Sequence, residues 1–102
     1  WIDCKVKKIS KSKNIPLPHV GFNNVIWKKN SKLRHNLPKS ADFYFVHSYY
    51  IDGKDLGLEL GVCEYGKKIT CAIEHDNIYG VQFHPEKSQQ NGLCVLKNFC
   101  EV

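Results

Sequence analysis

Methionine is absent from the sequence, proline occurs only four times, and no two of the five cysteines stand in C-x-x-C spacing. Without a methionine there is no initiator, so the sequence reads as a piece of a longer chain. Five is an odd number of thiols, and neither a disulfide framework nor a structural zinc site is expected despite the five histidines. Reduced, mostly buried thiols in a cytoplasmic protein are the expectation instead. No apolar run approaches the ~20 residues of a membrane-crossing helix, and no signal-like segment opens the chain.

Acids are scarce in one half only. Residues 1–41 hold ten lysines and arginines against the single acid Asp3, whereas residues 42–102 hold five lysines against nine acids. A basic half of this kind can attract phosphate or nucleic acid. The interleaved aromatics of a base-stacking platform are missing, however, so a solvated lysine face is expected and no nucleic-acid partner. Apolar residues make up 42% and charged residues 25%, ordinary values for a globular domain.

Hydrophobic periodicity yields a β-rich order with a helix at the end. "WIDCKVKKIS" alternates as a strand with Ile2, Cys4 and Val6 on one face. "KSKNIPLP" is a connection, and "HVGFNNVIW" is a glycine turn leading into an apolar run. "SKLRHNLPKS" holds one helical turn stopped before Pro38. "ADFYFVHSYYI" is dense in aromatic and β-branched residues and reads as one strand, broken by "DGKDLG". Three further strands, "LELGVCEYG", "KKITCAIE" and "NIYGVQF", form an antiparallel meander turning at Gly66-Lys67 and at His75-Asp76-Asn77. "GLCVLKNFC" has apolar residues at helical spacing (93, 96, 99 and 100) and is expected to pack that stripe on the sheet.

The chemistry gathers in "YGVQFHPEKS". His84 and Glu86 are two apart, so in extended chain their side chains project to one side. Pro85 biases His84 away from helical torsions and fixes its own φ. A carboxylate held there can accept one imidazole N–H and leave the other ring nitrogen free to take a proton from a nucleophile. His-Pro-Glu alone also fits a strand end with a solvated glutamate.

In context, "GVQFHPE" resembles the C-terminal signature of class I (triad-type) glutamine amidotransferases, in which this His and Glu complete a Cys-His-Glu triad. The resemblance implies an α/β, flavodoxin-like sandwich, of which these residues are the C-terminal β-rich half with its meander and terminal helix. It also implies a nucleophile cysteine in an upstream G-x-C-x-G elbow. None of the five cysteines has that flanking. Cys63 in "GVCEYG" comes nearest, but Tyr65 replaces the second glycine.

"PHVGFN", "FYFVHSYY" and "HPEKS" followed by "GLCVLKNF" are similar to the glutaminase subunits of imidazole glycerol phosphate synthases, which act in histidine biosynthesis. By that resemblance His47, Ser48 and Tyr49 hold the α-amino and carboxylate groups of glutamine, although His47 also fits an ordinary core histidine. Phe22, Asn23, Tyr44 and Lys87 lie against a synthase partner of (β/α)8 barrel type. The family's usual P-H-x-G-W-N has phenylalanine at position 22 here, which loses an indole donor. No metal or organic cofactor is implied. Two other readings stay open: an amidotransferase feeding ammonia to surface-sugar amidation, and a binding module without a nucleophile.

Overall fold

Strict two-residue alternation carries most of the sheet. In the computed structural model, which describes residues 2–10, 15–52 and 57–102, His19, Val25 and Trp27 point inward while Val20, Phe22, Asn24 and Ile26 point outward. The strands are β1 (Lys5–Lys8), β2 (His19–Trp27), β3 (Ser40–His47), β4 (Tyr49–Asp52), β5 (Glu59–Tyr65), β6 (Lys67–His75) and β7 (Ile78–Val81). Helix α1 (Gln89–Cys100) closes the chain, and 3-10 turns occupy Lys32–Arg34 and Pro85–Lys87. All pairings are antiparallel in one seven-stranded sheet of order β1-β4-β6-β5-β2-β3, with β7 also paired to β6.

The meander of β5, β6 and β7 turns where the sequence places its turns. Gly66 sits alone between the paired Tyr65 and Lys67 with φ 77, a left-handed value natural to glycine. Asp76, with φ 54, opens the next turn, and aspartate tolerates that region better than most residues. The helical turn before Pro38 is also present, capped by the Ser31 hydroxyl, which accepts from the Leu33 N–H at 3.1 Å.

Four expectations about the strands and thiols need correction. Strand β1 is shorter than the alternation suggested, and Val6 is exposed with its lysine neighbours; Ile9 beyond it is the buried anchor. Gly21 makes no turn. It lies inside β2 at φ 123, a torsion open to glycine that lets the strand continue. The run from Ala41 to Ile51 is two strands, because the chain breaks at Ser48, whose carbonyl accepts from Ile9 N–H at 2.9 Å. Strand β3 pairs with β2, whereas β4 pairs with β1 and β6. Finally, two of the five thiols are buried, Cys63 and Cys71, and Cys100 is exposed; all five are free. Burial, then the neighbouring Cys63, raises the Cys71 thiol pKa well above its ordinary value. Residues 11–14 and 53–56, within the "KSKNIPLP" and "DGKDLG" connections, lie outside the described residues.

The terminal helix forms as expected but turns a different face inward. Gly92, Val95 and Asn98 are buried, while Leu93, Leu96 and Phe99 are 58%, 41% and 53% exposed. Two interactions with residues distant in sequence or outside the helix select that face. The Asn98 amide donates to the carbonyls of Leu33 and His35 at 2.8 and 2.7 Å, and the missing side chain of Gly92 lets α1 close on the Pro85 carbonyl.

Between sheet and helix lies an aromatic core. Phe83 stacks on Phe43 with centroids 4.1 Å apart and meets Trp27 and Phe45 edge-on. Burying such side chains stabilises the fold by roughly 1.5–3 kcal/mol each. Immediately after Phe83, the His84 N–H donates to the Tyr44 carbonyl of β3 at 2.8 Å. The hydrogen-bonded path β6-β5-β2-β3 therefore returns, through Tyr44, His84 and β7, to β6.

Candidate functional site

His84 and Glu86 are held together beyond the end of β7. His84 is extended (φ −98, ψ 100), and Pro85 begins the 3-10 turn that swings Glu86 back. The His84 Nδ1 lies 3.2 Å from a Glu86 carboxylate oxygen. Since a carboxylate only accepts, Nδ1 carries the proton and Nε2 is left as the basic nitrogen. Both side chains are accessible, at 38% and 60% exposure. The Glu86 carboxyl is held below its usual range first by its own backbone N–H and then by His84, with burial opposing. The pair can thus accept and return a proton at Nε2.

Sequence reasoning missed Ser88. Its hydroxyl accepts from the Tyr44 N–H at 2.8 Å and donates to the His84 carbonyl at 2.6 Å. Only its position two residues after Glu86 was legible, because the other partner lies 44 residues upstream.

His47 belongs to a chain of hydrogen bonds, buried at its His19–His47 link, that also contains His19, a residue for which no motif signals a role. The His47 Nδ1 lies 2.8 Å from the Tyr49 carbonyl and must donate to it. Its Nε2 therefore accepts from His19 Nδ1 at 2.8 Å. His19 Nε2 in turn accepts from the Asn23 amide at 3.2 Å, and that amide also donates to the Glu64 carbonyl at 2.9 Å. Every proton runs one way, and both rings are neutral. His19 is stacked between Phe45 and Tyr65, at 4.8 and 3.9 Å. Burial, and secondarily His47, lowers the His19 pKa to about 4; burial also lowers His47, opposed by its bond to Tyr49.

This arrangement predicts acid sensitivity. Folded pKa values below the unfolded 6.5 mean that the pair's full stabilisation is present above pH 6.5 and is lost as pH falls towards about 4. The upper limit is about 3 kcal/mol from His19. The thermal midpoint of the protein should fall between about pH 7 and about pH 5, and His19→Phe should flatten most of that slope. An unchanged slope in the variant would remove the pair from the explanation.

The remaining candidates fall into two groups. Phe22 and Tyr44 are register partners on the outer face of β2 and β3, with ring centroids 5.3 Å apart. The Lys87 ammonium lies 6.0 Å from the Tyr44 ring, which makes Phe22, Tyr44 and Lys87 one continuous row. Asn23 sits on the opposite, inner face with its amide spent on His19 and Glu64. Of the proposed glutamine contacts, the His47 ring has both nitrogens occupied, and the Tyr49 ring is exposed.

None of the five cysteines stands at a strand-to-helix turn: Cys63 and Cys71 are within β5 and β6, Cys94 and Cys100 within α1, and Cys4 just before β1. Among the described residues no helix is long and apolar enough to cross a membrane.

The antiparallel sheet and the terminal helix fit one protein class. The family model for class-I glutamine amidotransferases matches residues 4–102, and the chain belongs to that family. A solved GMP synthase subunit structure from Thermoplasma acidophilum superposes with TM-score 0.71 at 20% identity, covering 96% of this chain and 47% of that one. In sequence, the chain is similar to imidazole glycerol phosphate synthase subunit HisH of Leptospira borgpetersenii, with 41% identity over all of this chain and 52% of the relative. The subunit of that name from Dechloromonas aromatica is 49% identical over 85% of this chain and 40% of its own length. The chain spans about half the length of the curated relatives it matches.

Proposed function

We propose that these residues are the C-terminal half of a glutaminase subunit that hydrolyses glutamine and passes ammonia to a (β/α)8 barrel imidazole glycerol phosphate synthase, in histidine biosynthesis. The observation that carries this reading is the His84–Glu86 contact, which leaves Nε2 free to exchange a proton. The names of the relatives supply the ammonia acceptor.

In this mechanism a cysteine thiol from outside the 102 residues is the nucleophile. His84 Nε2 takes the thiol proton as sulfur attacks the side-chain amide carbon of glutamine. The imidazolium returns that proton to the departing nitrogen, and ammonia leaves a γ-glutamyl thioester. His84 then takes a proton from water, which attacks the thioester carbon to release glutamate and regenerate the thiol. Glu86 orients the ring and offsets its transient charge. The backbone at His47, Ser48 and Tyr49 contributes to the hold on the glutamine α-amino and carboxylate groups. Phe22, Tyr44 and Lys87 face the synthase, with Asn23 bracing β2 from behind.

The test is reconstitution. The 102 residues alone should turn over no glutamine. Joined to an N-terminal half that carries G-x-C-x-G, and mixed with a barrel synthase, they should make the synthase reaction glutamine-dependent. A thioester on any of the five cysteines present, or ammonia delivered only to a different acceptor, would overturn the reading.

A further inference from the structure

We infer that Ser88 is a positioning residue for His84, its hydroxyl acting as a one-atom spacer built into the β-ladder; this rests on the reading of His84 as the acid–base group.

An antiparallel ladder leaves alternate residues of an edge strand with both N–H and C=O pointing outward. Tyr44 is such a residue on β3. Its carbonyl accepts directly from His84 N–H at 2.8 Å. Had the pair closed in the ordinary way, the Tyr44 N–H would reach the His84 carbonyl directly. Instead the Ser88 hydroxyl stands between them, 2.8 Å from one and 2.6 Å from the other. One side of the Tyr44–His84 pair is thus wider than the other by the width of an oxygen, and the chain at His84 diverges from β3 there. That divergence is where Pro85 opens the turn bringing Glu86 under the imidazole.

The spacer is itself fixed. Ser88 is 2% exposed, so no water competes for its hydroxyl. Its N–H donates to the Pro85 carbonyl at 3.1 Å and its carbonyl accepts from Gly92 N–H at 3.1 Å. Every polar group of Ser88 is therefore engaged, and three of the four bonds run to the segment carrying the pair or to Tyr44. Removing the oxygen leaves a half-buried donor and a half-buried acceptor facing each other. They either stay unpaired, which is unfavourable away from water, or close the gap and carry His84 towards β3.

Ser88→Ala, made in the complete subunit with its synthase present, is expected to lower kcat for glutamine hydrolysis roughly 10- to 100-fold while KM changes by no more than about twofold, the pattern of a misplaced catalytic group. Ser88→Cys keeps the volume with a weak S–H donor, and its kcat should fall between those of the alanine variant and the parent. A kcat within about twofold of the parent in Ser88→Ala, or a loss taken up in KM, would overturn the inference. If the alanine variant does not fold, unimpaired kcat in Ser88→Cys overturns it equally. His84→Ala separates the two readings. If that variant keeps its turnover, the assignment of His84 fails; if it is inactive and Ser88→Ala is not, only the spacer fails.

Discussion

His84→Ala in the complete subunit is expected to reduce glutamine hydrolysis by roughly 10²–10⁴-fold, the usual contribution of a positioned general acid–base. The fold should survive, because the structural part of residue 84 is its backbone. The N–H bond to Tyr44 and the carbonyl's bond from Ser88 are unaffected by the side chain. The ring itself is 38% exposed, and its polar partner Glu86 is more exposed still. Steady-state glutaminase assays beside thermal melts check both halves of this expectation. Unimpaired turnover would remove His84 from the mechanism, and a collapsed melt would make the loss of activity uninformative about catalysis. Addition of free imidazole offers an independent check, since a base supplied from solution can restore part of the rate only where base is what is missing.

The largest effect on stability is expected from Gly92→Ala. A Cβ at this position would lie 1.8 Å from the Pro85 carbonyl oxygen and 2.9 Å from the Ser88 Cβ. Neither neighbour is the loose end of a flexible side chain. The helix must move away from the 3-10 turn or the turn must rotate, and either motion disturbs the Gly92–Ser88 backbone bond. Alanine's better helix propensity, about 1 kcal/mol over glycine, is far outweighed. Overpacking typically costs about 1–3 kcal/mol and occasionally more, and a 1.8 Å approach to a backbone oxygen belongs at the severe end, so urea unfolding of the complete subunit should show a clear loss in midpoint. Gln90→Ala, on the exposed side of the same helix, serves as the near-neutral control. Equal midpoints for the two variants would mean that helix and turn do not touch at Gly92. Because the turn carries His84 and Glu86, Gly92→Ala should lose glutaminase activity even at temperatures where it remains folded.

What was legible in the sequence was what local rules determine. The aromatic and β-branched run gave strand β3, whose alternation buries Phe43, Phe45 and His47; glycine and aspartate marked the hairpins, and proline kept His84 extended beside Glu86. What stayed hidden depends on partners distant in sequence. Nothing near Ser48 announces that the chain changes neighbours there, because Ser48 is fixed by Ile9. The apolar stripe of α1 gave the helix correctly and its orientation wrongly. Spacing alone weighs Leu93, Leu96 and Phe99 above Asn98, yet the Asn98 amide satisfies two buried carbonyls and glycine permits the closest approach. The pairing of His19 with His47 required the β2–β3 register, which no motif encodes. Phe22, Tyr44 and Lys87 were named by resemblance; that same register brings Phe22 to Tyr44 and turns Asn23 to the other side, while the 3-10 turn brings Lys87 to the Tyr44 ring.

The return of the hydrogen-bonded path to β6 through Tyr44 and His84 makes a hoop of that part of the sheet, and His84 is its clasp. A strand edge left open invites another chain to add to it. Along β3 the outward groups of Tyr44 are already taken by His84 and Ser88. A foreign strand could dock there only by unfastening the clasp and dragging the imidazole from its carboxylate. Protection against edge-to-edge association and the alignment of the acid–base pair are thus one closure, and a lesion that opens it should produce inactive protein and aggregated protein together.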